Sequence, residues 1–130
     1  MNAETIELLR AVQKYRGEWR KFDPCWHEKH GFGTIDTVRK DEVLVEFNKS
    51  PGTFFSFGPD DPDLLWLPPT APGWNDDGRN LWAMVDWKKW GICVDENRRI
   101  LIHERKYDIV YFEADTLPEA LLRAAVGKGE

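Results

Sequence analysis

The sequence predicts an α+β fold, mainly antiparallel β, with one N-terminal and one C-terminal helix, and three observations carry that prediction. Apolar residues recur at three- to four-residue spacing only near the two ends, over 4–16 and 117–126. From 19 to 113 they fall instead in short alternating or continuous runs, six to eight strands in all. The runs in the middle are joined by polar turns too short for a parallel crossover, so neighbouring strands should be antiparallel. With 130 residues, the chain is expected to form a single domain, 1–130. Its 42% apolar content is enough for a packed core without metal or disulfide.

The first helix, 4–16, places Ile6, Leu9 and Val12 on one stripe, widened by Leu8 and Ala11. Asn2 or Thr5 is placed to cap it, and Gly17 to stop it. Trp19 to Phe22 reads as a short strand and 23–31 as irregular. Gly33 to Val38 and Val43 to Phe47 read as a hairpin around Arg39-Lys40-Asp41-Glu42. Pairing Val38 with Val43 puts both on one face with Val45 and Phe47, and puts Ile35 on the other with Thr37, Leu44 and Glu46. Thr53 to Phe57 and Leu64 to Leu67 are further strands, with loops at 58–63 and 68–78. Leu81 to Trp87 reads as a strand; the helical alternative would be capped by Asn80. Trp90 to Val94 and Ile100 to His103 form a hairpin around Asp95-Glu96-Asn97-Arg98, an even turn that aligns Cys93 with Ile100 and Ile102. Tyr107 to Glu113 is apolar on both faces and is expected to be a central strand. The last helix, 117–126, has Asp115 or Thr116 as its cap, Pro118 in its first turn and Gly127 at its end.

The tightly turned, alternating stretch from Phe32 to Phe57 resembles SH3-like barrels, which would imply a small barrel. The ending, a strand followed by Thr-Leu-Pro-Glu-Ala-Leu-Leu over 116–122, resembles the tail of some small phage and prophage proteins.

The formal net charge is −5. Between Ser50 and Gly78 there is no Lys or Arg, while Asp60, Asp61, Asp63, Asp76 and Asp77 all lie there. The remaining 18 acidic residues balance the 18 basic ones, so the whole excess belongs to one segment. A chain of this charge is a poor general binder of nucleic acid. No apolar run approaches the roughly 18–20 residues that span a bilayer. The N-terminus reads as lacking a secretory signal, and the 2 cysteines give no disulfide framework, so a reducing, cytoplasmic setting is expected.

Cys25-x-His27-x-x-His30 offers three zinc-type donors, but their spacing matches no common ligand pairing, and a surface loop with one semi-buried cysteine is the simpler expectation. A Cys–His nucleophile built from Cys25 or Cys93 has no supporting local pattern, so no catalytic residue is assigned and no cofactor is expected. Asn75-Asp76-Asp77-Gly78 fails as a calcium loop, because a 12-residue frame aligned on Gly78 starts at Gly73 and ends at Met84; Asp77-Gly78 reads as a tight turn. Arg10, Lys14, Arg16, Arg20 and Lys21 read as a solvated helix face and its continuation.

Trp66, Trp74, Trp82, Trp87 and Trp90 follow closely on one another, overlapping the acidic segment, and six of the 8 prolines lie from Pro51 to Pro72. An indole face attracts cations, carboxylates add charge pairing, and tryptophan is enriched at interface hot spots. The expected function is therefore a non-enzymatic binding or accessory protein. Its partner surface would comprise Trp66, Trp74, Asp76, Asp77, Trp82, Asp60 and Asp61, facing a protein or a basic or proline-bearing peptide. The alternatives are a small inhibitor or immunity-type protein against a basic partner, and a metal-dependent enzyme using Cys25, His27 and His30.

Overall fold

A computed structural model describes residues 1–74 and 76–127. The α+β class holds: eight strands form two antiparallel sheets, with a helix near each end and a one-turn helix between the sheets in sequence. The chain packs as two compact units. One is Gln13–Pro68; the other joins Met1–Val12 to the residues from Pro69 onward.

The Gln13–Pro68 unit holds a five-stranded sheet. Its strands are β1 (Pro24–His27), β2 (Gly31–Val38), β3 (Val43–Phe47), β4 (Phe54–Phe57) and β5 (Leu64–Trp66), in the spatial order β4-β3-β2-β1-β5. The end strands β4 and β5 are not paired with each other, so the sheet is open rather than a closed SH3-like barrel.

Two segment assignments also fail in this unit. Trp19 to Phe22 is not a strand: Phe22 has φ 74 and its N–H donates to Ile35 O, while Asp23 N–H closes a turn on Arg20 O. The segment read as irregular supplies β1 instead, which hairpins onto β2 through 28–30 with Gly31 at φ 79. Cys25, Trp26 and His27 are all buried, so β1 carries no alternating signal.

Val38 does pair with Val43. A bulge at Asp36, however, puts one extra residue into β2 between Ile35, opposite Val45, and Thr37, opposite Leu44. Simple alternation therefore misplaces Ile35, which joins Val43, Val45 and Phe47 on the buried face. Gly33 on that face lies under Phe47: a Cβ there would stand 2.8 Å from the ring and 2.9 Å from Glu46 O. The β5 edge is closed by a side chain. Gln13 Nε2 donates to Trp66 O at 2.8 Å, and Trp66 N–H donates to Gln13 Oε1 at 2.7 Å. One amide thus satisfies an edge strand's backbone, which would otherwise be left unpaired.

The other unit holds α1 (Ala3–Val12), α2 (Leu81–Met84), β6 (Trp90–Val94), β7 (Ile100–Glu104), β8 (Ile109–Ala114) and α3 (Leu117–Val126), with sheet order β6-β7-β8. Asn2 caps α1 by accepting the Thr5 N–H at 2.8 Å. Thr116 caps α3, Pro118 sits in its first turn, and Gly127 ends it in the left-handed region at φ 75. The row Ile92–Ile102–Phe112 crosses the sheet, and α3 packs on β7 and β8 with Ala120, Leu121 and Leu122 buried.

Three corrections belong to this unit. Leu81 to Trp87 is not a strand; it opens with α2, because Asn80 Oδ1 accepts the Ala83 N–H at 2.8 Å. The N–H groups of Leu81 and Trp82 donate to Pro69 O and Thr70 O, so the donors a helix start leaves open are used. The β6–β7 connection has five residues, with Arg98 at φ 62, so Cys93 opposes Leu101 and shares a face with His103. Last, β8 is an edge strand and β7 the central one; Ile109 and Val110 of β8 are exposed.

Candidate functional site

The expected partner surface is divided by the unit boundary. Asp60, Asp61 and Trp66 belong to the five-stranded unit; Trp74, Asp76, Asp77 and Trp82 belong to the other. Asn75 lies outside the described residues.

Loop 69–80 is built by local bonds. Its two ends meet where Leu81 and Trp82 donate to Pro69 and Thr70, which makes it a closed surface loop. Inside it, the Asp76 carboxylate accepts from Gly73 N–H at 2.8 Å, Gly78 N–H at 3.0 Å and Asn80 Nδ2 at 2.8 Å. The Gly78 bond leads these in holding the Asp76 carboxyl below the usual range, and Gly73, Asn80 and the Arg79 charge add to it. Arg79 N–H closes on Asp76 O at 2.8 Å with Asp77 at φ 49 and Gly78 at φ 85, the tight turn expected of Asp-Gly. Asn80 uses its amide for Asp76 and its oxygen for α2, coupling loop to helix. Trp74 stands at the tip of this loop, 98% exposed. Trp82 is 46% exposed, its ring 4.5 Å from that of Trp87, whose Nε1 donates to Trp82 O at 2.7 Å.

Two of the expected contact residues change role. Trp66 is 1% exposed in β5, so it is a core residue and not part of a surface. Asp76 spends its oxygens inside the loop, so it orders the loop around Trp74. Asp61 accepts the Asp63 N–H at 2.9 Å in a local turn, and Asp60 lines a cleft beside Arg16.

Cys25, His27 and His30 do not assemble as metal donors. Burial, then the Asp23 charge, pushes the Cys25 thiol up to about 12, so it stays neutral. The His27 and His30 rings lie 5.0 Å apart within an aromatic cluster: His30 is 4.9 Å from Phe47 and 4.5 Å from Phe55, and His27 is 5.1 Å from Phe57. Lys29 N–H donates to His27 Nδ1 at 3.1 Å. Among the described residues no group of three His, Cys, Asp or Glu could hold a metal ion. Among the described residues, too, no helix is long and apolar enough to cross a membrane.

Sequence reasoning passed over one feature of the five-stranded unit, a half-open cleft of about 490 Å3 bordered by Arg16, Arg39 and Lys40. The sequence groups Arg16 with a solvated helix face and its continuation. The signal for its different role was Gly17, which turns the chain at φ 66 directly after it.

Comparison with protein-family models, curated proteins and solved structures finds no match. The resemblances to SH3-like barrels and to phage protein tails therefore carry no functional weight, and any reading rests on the residues themselves.

Proposed function

We infer that the chain is a non-catalytic binding protein whose loop 69–80 engages a protein or peptide partner through Trp74. One observation carries the inference: the ring is 98% exposed although its loop is tied at Gly73, Gly78 and Asn80 through Asp76. An indole in water on a pre-ordered loop loses little conformational freedom when it docks, and tryptophan is enriched among residues that dominate interfaces. Asp77, on the same loop, and the indole face both favour a cationic or proline-bearing segment.

The test is titration with an oligopeptide of alternating proline and arginine, read on the indole N–H resonances. The Trp74 signal should shift, Trp74→Ala should abolish saturable binding, and Asp76→Asn should weaken it. Equal affinity of wild type and Trp74→Ala overturns the inference.

A further inference from the structure

We propose that β4 pairs edge to edge with β4 of a second copy of this chain, antiparallel, about a two-fold axis at Phe55. The inference goes beyond partner binding by loop 69–80 and uses none of its residues.

The hydrogen-bonding phase of β4 follows from its neighbours. Asn48 N–H donates to Phe32 O and Arg39 N–H donates to Glu42 O, so both of these pairs are hydrogen-bonded between β2 and β3. Antiparallel ladders alternate hydrogen-bonded with non-hydrogen-bonded pairs. Glu46 and Leu44 therefore turn their backbone groups to β2, and Val45 and Val43 turn theirs to β4, where they meet Phe55 and Phe57. Phe54 and Ser56 are left with N–H and C=O pointing away from β3, at the end of the sheet. Both residues are exposed, Phe54 by 50%. Among the described residues no hydrogen bond reaches those backbone groups.

The other sheet ends are guarded. Gln13 bonds both backbone groups of Trp66 on β5, and Arg105 Nε covers Trp90 O on β6. β8 is interrupted by a bulge at Tyr111 and carries Glu113. Covers, bulges and charges are the usual means of blunting a free edge. Segment 51–58 holds no charged residue, and no proline after Pro51. Glu42 accepts the Ser56 hydroxyl at 2.6 Å, but its charge is paired with Arg39 at 2.7 Å.

A second copy is the occupant that the register fits. With the axis at Phe55, Phe54 faces Ser56 of the second copy and Ser56 faces its Phe54. Each outward N–H then meets an outward C=O, and no like charges come opposite one another. Phe55 faces Phe55 of the second copy as a non-hydrogen-bonded pair, the closer kind, where aromatic pairs stabilise a sheet. An axis at Phe54 or Ser56 would instead draw in Gly52, at φ 81, or Gly58, both outside the strand. A strand of 4 residues falls short of the roughly 800 Å2 per partner of a standard interface, so the dimer is weak and reversible.

The experiment follows the full chain by sedimentation from about 10 μM to 1 mM, with amide exchange measured by NMR at both ends of that range. A dimer should form with a dissociation constant inside it. Exchange at Phe54 and Ser56 should slow as concentration rises, while Phe55 and Phe57 stay protected throughout. Phe54→Lys should weaken association by about tenfold or more. Phe32→Lys, at a ring 48% exposed but two strands in from the edge, should leave it unchanged. The proposal is overturned if the chain stays monomeric up to about 1 mM, or if Phe54→Lys dimerises as the wild type does. It is overturned equally if Phe32→Lys weakens association as much, or if the amides that slow with concentration exclude Phe54 and Ser56.

Discussion

Trp66 and Trp74 sit close in sequence, in the same acidic, proline-rich stretch, yet one is 1% and the other 98% exposed. The backbone around each explains the difference. Trp66 belongs to β5, whose pairing with β1 sets Trp66 opposite Cys25, and Gln13 clamps the free edge. Both side-chain directions of that strand are fixed by long-range partners. Loop 69–80 is closed by bonds among its own residues and to α2, and none of them covers the ring at its tip. Composition is shared by the two regions; pairing is not.

The contrast can be broken first at the two rings. Trp66→Ala should cost about 3–5 kcal/mol by emptying a packed site, whereas Trp74→Ala should stay within about 0.5 kcal/mol of wild type. Urea unfolding of both variants measures it. A large loss in Trp74→Ala would mean that the loop ring is part of a core.

The clamp and the close sheet contact come next. Gln13→Leu removes the side-chain partner of the Trp66 N–H and C=O and should cost about 2 kcal/mol. Gly33→Ala should cost about 1–3 kcal/mol, because the obstructing atoms include the Glu46 carbonyl, which cannot swing aside. In Gln13→Leu, hydrogen exchange should accelerate at Trp66 first and leave Gly78 unaffected, which separates the edge strand from the loop.

Asp76 sharpens the other side. In Asp76→Ala the amides of Gly73 and Gly78 lose their acceptor and should exchange faster, with the melting temperature little changed. Because the native carboxyl titrates below its ordinary value of 3.8, its contribution is complete above that value and disappears as pH falls through the lower, folded one. Protection of Gly78 should follow the same acid window in the wild type and be absent from the variant.

The helices α1 and α3 and the strands β3, β6 and β7 were legible because each carries a local signal: Thr116, Pro118 and Gly127 around α3, or the Val43–Phe47 alternation. The phase of Ile35 was not, since a bulge at Asp36 depends on what the partner strand does. β1 was hidden because burial on both faces erases alternation, and α2 because one turn is too short to show a period. The Trp74 loop was found from composition and its Asp-Gly turn. That it belongs to a different unit from Asp60, Asp61 and Trp66 was not, because the proline-rich run across Pro68 and Pro69 reads as one more surface loop. The Arg16 cleft joins 16–19, 38–43 and 59–60, positions distant in sequence whose meeting only the sheet order produces.

The smallest expected effect is a stability change near neutral pH in the five-stranded unit. Burial, and then the neighbouring His30, lower the His27 pKa from 6.5; Lys29 adds to this, while Asp61 and Asp63 oppose it. The hydrogen bond from Lys29 N–H to His27 Nδ1 points the same way, since a protonated ring would set donor against donor. The native state therefore binds fewer protons than the unfolded one below 6.5. Stability should be full above that pH and decline as pH falls toward the folded value, then level off until the carboxylates begin to titrate. Replacing the ring by a neutral one of similar shape, His27→Phe, should flatten the curve just below pH 6.5 while leaving the acid limb set by groups such as Asp76 and Glu42 intact. Denaturant midpoints measured across that range decide it. A slope unchanged in His27→Phe would overturn the assignment of this window to His27.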